Sequence, residues 1–444
     1  MEVPWAYMEV NCINFIEALT LDTHPMQRTK SKLKMQYYVS LEHLIGQCEI
    51  NDEYTRVRLK QYRTVLVGNA DLPEQTEKEC KNITYSMVNS RIRPWRKKYR
   101  YWLLCDISLI LFDEARIKRT VVCLNEYLNK RQAMEIEGLQ ALLFNDEEIP
   151  KTILFTKSLV EQFRTNRNFA AKPEKRYIVT ANVSAGKSTL INAIIGKPLT
   201  RTSQEICTGN LCYIYNKPFE DDVVHLSASP LNLNASYSDL ANAERSVVSS
   251  IASHFRMTHS TNRVCIIDTP GVNSAINRNH KKITRKVLKE EPYNKLIYVL
   301  NANKLGTDEE KEHLQWVSEN VAKEKVVFVL NKLDDFKSID DSIEESINGV
   351  KNDLHVLGYE EPIICPLSSY YAYLIKLKEN EEQMSEDEMD AYNLYFRKFS
   401  KDEYDLSIYS REVEINTDES ELVQMRKKCG LYGLEQVLFG GESL

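Results

Sequence analysis

Apolar residues are spaced in two different ways along this chain, and the change falls near residue 170. Through the first 150 positions they recur every three or four residues, over 33–48, 54–67 and 101–128. That is the period of a helix with one buried face. In the third stretch Leu104, Leu111, Ile117, Val121, Leu124 and Leu128 share one broad face. The spacing predicts an all-helical domain over 1–150, closing near Asn145, Asp146 and Pro150, and a connecting helix within 151–172. From 173 onward the pattern becomes short apolar runs, at 177–180, 263–267, 326–330 and 362–366. Runs of that length separated by helix-length segments predict a mostly parallel sheet flanked by helices, an α/β domain over 173–440. The acidic run 379–390 reads as a mobile surface insertion, about 379–425, before the last helices.

Composition narrows the picture. A chain of 444 residues is long enough for two or three domains with real cores, and 14 glycines leave little room for flexible linkers. A net charge of −6 gives no overall pull toward nucleic acid. The ten cysteines are scattered with no CxxC pair, so they read as reduced, mostly buried thiols of a cytoplasmic protein. Glu2 and Glu9 rule against a signal peptide. The longest apolar run, 101–112, contains Asp106 and is too short to span a bilayer; it reads as a buried helix.

The chemistry lies at the ends of the apolar runs. After the first come Ala181, Asn182, Val183, Ser184, Ala185, Gly186, Lys187 and Ser188, with Thr189 opening a helix. This is the phosphate-binding loop GxxxxGK[ST], with Ala181 in place of the first Gly, a residue that tolerates positive φ poorly. Its backbone N–H groups curl around phosphate oxygens, Lys187 reaches the terminal phosphates, and Ser188 holds Mg²⁺. The second run ends in Asp268, Thr269, Pro270 and Gly271. Asp268 can order the metal shell through water, and Gly271 can offer its N–H to a γ-phosphate. The third ends in Asn331, Lys332, Leu333 and Asp334, the NKxD pattern that reads guanine rather than adenine. Its Asp accepts from guanine N1–H and the exocyclic amine, Asn braces the neighbouring loop, and the Lys stem lies along the base. The fourth leads to Ser368 and Ser369, a small-residue loop suited to the guanine O6. Alone, each motif is an ordinary turn; in this order, each at the carboxyl end of a strand, they mark where an open α/β sheet binds its ligand. The fold expected is therefore an α/β P-loop GTPase domain preceded by an all-helical domain, with GTP or GDP and Mg²⁺ as its ligands.

The segments 184–196 and 267–274 resemble the corresponding parts of bacterial dynamin-like GTPases, and 429–438 is similar to the closing helix of such domains. The resemblance covers about 170–440. It implies GTP hydrolysis, a homodimer contact through the nucleotide face, and a switch segment at 205–210 whose Thr208 closes over Mg²⁺ and the γ-phosphate. Thr200 and Thr202 are nearby rivals for that role. With Thr208, Lys187 and Gly271 form the expected catalytic set. One position departs: where dynamin has a Gln that positions the attacking water, this chain has Val183.

Alternatives stay open at this point. The chain is long enough for only about 150 residues of helical domain, so a membrane-surface partner is less secure than nucleotide binding. A slow GTP-binding scaffold that engages a protein partner, or an Era-type ribosome-associated GTPase, fits the same motifs. Between 91 and 100 lie six basic residues and two aromatics. They read as a solvated helix start, with Pro94 in the first turn and Trp95 toward the core, in preference to a lipid or nucleic-acid patch.

Overall fold

The computed structural model describes residues 15–48, 52–69, 73–89, 97–200, 211–227, 230–242, 250–257, 262–272, 279–337, 342–410 and 418–440. The chain divides into two compact units. The helical unit comprises Met1–Lys172 together with Lys217–His225 and Pro230–Asn234. Its helices are α1 (Ser31–Gly46), α2 (Glu53–Leu66), α3 (Glu77–Val88), α4 (Lys97–Leu111), α5 (Glu114–Asn125), α6 (Lys130–Leu143) and α7 (Lys157–Ala170). Their starts follow from sequence: Asp52, Thr76, Asp113 and Asn129 each accept a backbone N–H three residues on.

The core of this unit is α4, buried at every position from Tyr99 to Leu111. Asp106 sits in its middle, and three donors meet its carboxylate: Tyr62 at 3.1 Å, Tyr37, and His24 Nε2 at 3.1 Å. His24 Nδ1 accepts from Met26 N at 3.1 Å, so the ring proton is on Nε2 and points at Asp106. The face expected to run unbroken over 101–128 is split. Phe112 turns left-handed at φ 51°, and Asp113 caps a new helix by accepting from Arg116 N at 2.8 Å. The apolar period continues across the break because both helices face the same core. Of the basic stretch, only 97–100 lies among the described residues. Lys97, Lys98 and Arg100 open α4; Arg100 pairs with Glu135, and Lys98 lies 4.9 Å from the Trp102 ring.

The second unit is built on the strands β1 (Glu174–Ala181), β2 (Cys212–Asn216), β5 (Ser250–Ser253), β6 (Arg263–Asp268), β7 (Lys295–Asn301), β8 (Val326–Asn331) and β9 (Ile363–Pro366), while β3 (Val224–Ser227) and β4 (Asn232–Ala235) straddle the division, with 224–225 and 232–234 in the helical unit. The sheet order is β4-β3-β5-β2-β6-β1-β7-β8-β9. From β6 to β9 every pairing is parallel, and β2 runs antiparallel to β6. Its helices are α8 (Lys187–Ile195), α9 (Tyr237–Asn242), α10 (Asn279–Glu290), α11 (Asp308–Asn320), α12 (Ile343–Val356), α13 (Ser369–Glu379), α14 (Glu386–Phe399), α15 (Glu421–Lys428) and α16 (Leu431–Phe439). The architecture is the mixed, mostly parallel sheet flanked by helices that the apolar runs predict. Residues 295–301, a run of the same kind, form β7, which pairs with β1 on one side and β8 on the other.

Half of the acidic run 379–390 is helical, at 379 and 386–390. Glu379 ends α13, and Ser385 and Glu388 form a reciprocal capping box that starts α14. The buried Tyr392 and Phe399 on α14 then hold it in place. Glu386, Asp387 and Glu388 fall in the first turn of α14, where their charge is favoured by the helix dipole.

Candidate functional site

Parallel strands put their carboxyl ends on one edge, and four of the motifs arrive there together. Val179 of β1 is in register with Asp268 of β6, and Asn301 of β7 is in register with Asn331 of β8. The phosphate loop leaves β1 at Ala181, which is buried, extended and paired with Val299. Ala181 therefore needs no positive φ. That burden falls on Ser184 (φ 65°) and Gly186 (φ 89°), which curl the loop before α8 begins. A side chain at Gly186 would meet Asn331 Nδ2 at 2.3 Å, so only Gly fits. The Gly186 carbonyl accepts the first helical N–H, from Leu190, at 2.9 Å. The α8 amino terminus, with its unpaired N–H groups, is thus aimed at the loop.

Lys187 and Asp268 face each other as a buried ion pair. Thr269 behind them donates to the Val179 carbonyl at 2.8 Å, and Val272 N donates to the Ala181 carbonyl at 3.1 Å. These bonds fix Gly271 beside Val183 on the rim of the loop. Ser188 is partly exposed at the first turn of α8. One hydroxyl and one nearby buried carboxylate suit Mg²⁺, which takes few protein ligands and completes its shell from phosphates and water. Ser188 and Asp268 are the residues that would hold it. Thr208 and Thr202 lie outside the described residues. Thr200 is committed elsewhere: its hydroxyl donates to Ser188 O at 2.8 Å, while Asn192 brackets its backbone from both sides. Its hydroxyl braces α8 and is not free to close over a metal.

The base-reading side is built around Asn331. Its Nδ2 donates to Ala185 O at 2.9 Å, and its Oδ1 accepts from Ser369 N at 3.0 Å. Lys332 is left-handed at φ 70°, which turns the chain so that Asp334 points back toward Ser368. Ser368 Oγ donates to Asp334 Oδ1 at 2.7 Å. Burial pushes the Asp334 carboxyl above its usual range, and the Ser368 hydrogen bond pulls it back. The Ser368 loop is itself pinned, since Ser368 N donates to Cys429 O at 3.1 Å. Next to it Gly430 lies so close to Pro366 O that a Cβ would sit 2.0 Å away. The structure thus brings together 181–189, Asp268, Gly271, 331–334, Ser368 and Ser369.

Residues outside the sequence-level set also belong here. Asn301 Nδ2 donates to Ser184 O at 3.3 Å and so supports the left-handed residue of the phosphate loop. The available signal was an Asn ending an apolar strand, as in NKxD. Lys398 of α14 donates to Asp334 O at 2.6 Å, a contact between segments 64 residues apart that no local pattern announces.

The model of the dynamin family matches residues 178–333, from within β1 to Leu333 of the NKxD loop. Residues 178–333 form a GTPase domain of the dynamin family. Two curated relatives match the chain over about half its length. One, an uncharacterised protein from the xynA 3′ region of Caldicellulosiruptor sp. (strain Rt8B.4), is 28% identical over 234 residues, 51% of this chain and 56% of that one. The other, a probable chloroplastic FZO-like transmembrane GTPase of Arabidopsis thaliana, is 26% identical over 213 residues, 45% of this chain and 20% of that one. The chain thus spans about half of the first and a fifth of the second. A solved oligomerised bacterial dynamin pair is 15% identical, over 97% of this chain and 76% of that one, with a TM-score of 0.38. No helix among the described residues is long and apolar enough to cross a membrane.

Proposed function

We propose that this chain binds GTP and GDP with Mg²⁺ and hydrolyses GTP, with turnover raised when two nucleotide faces meet. The observation that carries the reading is the Asn331 side chain, bonded at once to the phosphate loop and to the Ser369 backbone. Phosphate and base recognition are thereby built as one unit, which an incidental NKxD turn would not be. In this reading Lys187 and the 182–188 backbone hold the phosphates, and Ser188 and Asp268 hold Mg²⁺. Gly271 meets the γ-phosphate, and Asp334 takes the two guanine donors while Ser368 and Ser369 lie against O6. Bound Mg²⁺ would neutralise charge on the β- and γ-phosphates.

Val183 favours a second reading of the rate. A side chain with no polar atom cannot orient water, so an isolated subunit would act as a slow switch. Thr208, outside the described residues, is the segment assigned to close over the metal. Calorimetric titration with GTP, GDP and ATP tests the base assignment, and turnover across protein concentrations, with and without liposomes, tests the rest. Guanine preference of at least a hundredfold is expected, since a site built for a buried hydrogen-bonding edge rejects ligands lacking it by roughly that much or more. Equal affinity for ATP and GTP would remove the reading.

A further inference from the structure

The acidic run ends in a helix that reaches the guanine-reading loop. On α14, Lys398 Nζ donates to Asp334 O at 2.6 Å and also to Phe336 O. It lies 4.5 Å from the centre of the Tyr404 ring, whose hydroxyl donates to Phe336 O at 3.4 Å. One turn earlier, Tyr395 lies near Asp334, whose charge adds to burial in raising the Tyr395 phenol. Tyr395 and Lys398 are three residues apart and so share a helix face. The opposite anchor is aromatic: Tyr395 packs on Tyr370 and Tyr371 at ring distances of 6.1 and 5.9 Å, and Phe399 stacks on Tyr371 at 5.1 Å. Tyr370 and Tyr371 directly follow Ser368 and Ser369, so α14 bridges the two loops that would read the base.

We propose that Lys398 is a positioning residue of the guanine site, and that α14 is a base-recognition element of this chain. The proposal rests on the guanine-nucleotide reading above. A carboxylate offers about four lone-pair positions. Ser368 occupies one at Asp334, which leaves room for the two guanine donors, N1–H and the exocyclic amine. Lys398 fixes the backbone that carries the carboxylate. Its charge also favours the ionised form in a setting where burial and Asp335 oppose it. Tyr370 is the other titratable group facing Asp334. A helix that only packed against the fold would not need its lysine on the carbonyls of the reading residue and of Phe336.

The test uses the full chain and the variants Tyr395→Phe, Lys398→Met and Lys398→Arg. GDP and ADP affinities are measured by calorimetry from mildly acidic to mildly alkaline pH, with melting temperatures alongside. Lys398→Met should weaken GDP binding about tenfold, the loss of charged hydrogen bonds that fix the loop, and Lys398→Arg should restore part of it. The acid limb of GDP affinity in Lys398→Met should move to higher pH, because Asp334 loses a positive charge that favours its ionised form. Tyr395→Phe keeps the ring packing and both Lys398 bonds and should bind GDP like the parent. The proposal is overturned if Lys398→Met binds GDP like the parent at every pH. It is also overturned if affinity falls only in step with melting temperature while the acid limb stays in place. Equal GDP and ADP affinity in the parent would instead remove the guanine reading, and this inference with it.

Discussion

Asn331 bonds Ala185 O through Nδ2 at 2.9 Å while its Oδ1 takes the N–H of Ser369 at 3.0 Å. One buried amide therefore ties together three loops separated by 146 and 38 residues. Replacing it strands a carbonyl and an N–H in a buried place, at about 1–3 kcal/mol for each unsatisfied group. Asn331→Ala should lower the melting temperature by several degrees and weaken GDP and GTP binding alike, on the order of tenfold or more. A stopped-flow or calorimetric measurement giving parental GDP affinity would mean the loops are held by other contacts.

Lys187 and Asp268 neutralise each other in a nearly water-free place. Breaking such a pair from one side leaves an uncompensated buried charge and costs about 3–5 kcal/mol. Asp268→Ala should destabilise the free chain, and GDP should restore most of that loss because its phosphates give Lys187 a new partner. Lys187→Ala should be destabilised to a similar extent but gain nothing from GDP. The double variant should melt above either single one, as neither charge is then left alone. Thermal melts of the three variants with and without GDP decide this; a double variant below both singles would contradict the pairing.

Two glycines of the site differ in why they are glycine. A Cβ at Gly186 would sit 2.3 Å from Asn331 Nδ2 at φ 89°, whereas one at Gly271 would only touch Val183 Cγ2 at 3.4 Å. Gly186→Ala should therefore lose stability and all nucleotide binding. Gly271→Ala should fold and melt like the parent and bind GDP well, yet lose GTP affinity about tenfold or more, since its methyl would stand where the γ-phosphate meets the N–H. If Gly271→Ala binds GTP as tightly as GDP, that N–H does not serve the γ-phosphate.

Most of this site was legible because its parts are local. A phosphate loop, a DTPG turn and an NKxD turn each carry their chemistry within a few residues, and each follows a short apolar run that must be a buried strand. What stayed hidden depends on contacts distant in sequence. Asn301 looks like any strand-ending Asn until register sets it beside Asn331. Lys398 and Tyr395 read as part of an acidic, solvent-facing stretch until α14 folds onto the base loop. The break at Phe112 was invisible for a different reason: hydrophobic period reports which face is buried, and two helices against one core keep the same period.

In the helical unit, burial pushes the Glu17 carboxyl up to about 8, with Arg58 and then Lys217 pulling it back. Arg58 Nη2 is 4.0 Å from the Glu17 carboxylate and donates instead to the Glu17 carbonyl at 2.7 Å, so it offsets burial only in part. Asp221, which pairs with Lys217, and His225 complete the cluster. A folded-state value above the unfolded 4.5 gives stability that is full below 4.5 and lost as pH rises through about 8. His225 acts the other way, held low by burial, Lys217 and Arg58, so its contribution is lost as pH falls below 6.5. Between 6.5 and 8 the Glu17 effect should therefore dominate within this cluster. Over that window the parent should lose up to about 2 kcal/mol relative to Glu17→Gln, from about 1.4 kcal/mol per pH unit. Parallel pH profiles of urea midpoints for the two proteins would show that Glu17 is ionised throughout.

Val183 is 52% exposed on the lip of the phosphate loop, next to Gly271. It has no polar atom with which to hold the attacking water. If a second nucleotide face covers this lip, it excludes bulk solvent, so that fixed dipoles act on the developing charge. Specific GTPase activity should then rise with protein concentration, by on the order of a hundredfold, the low end of what a positioned proton-transfer group contributes. Val183→Gln gives the lip an amide of its own; it should raise turnover in dilute protein and flatten the concentration dependence. Val183→Asp sets two carboxylates against each other across the paired faces and should abolish the rise. Turnover measured from nanomolar to tens of micromolar protein, with light scattering on the same samples, separates these outcomes. Activity strictly proportional to enzyme concentration, in a chain that stays monomeric throughout with GTP bound, would place the water-orienting group within one subunit and end the dimer argument.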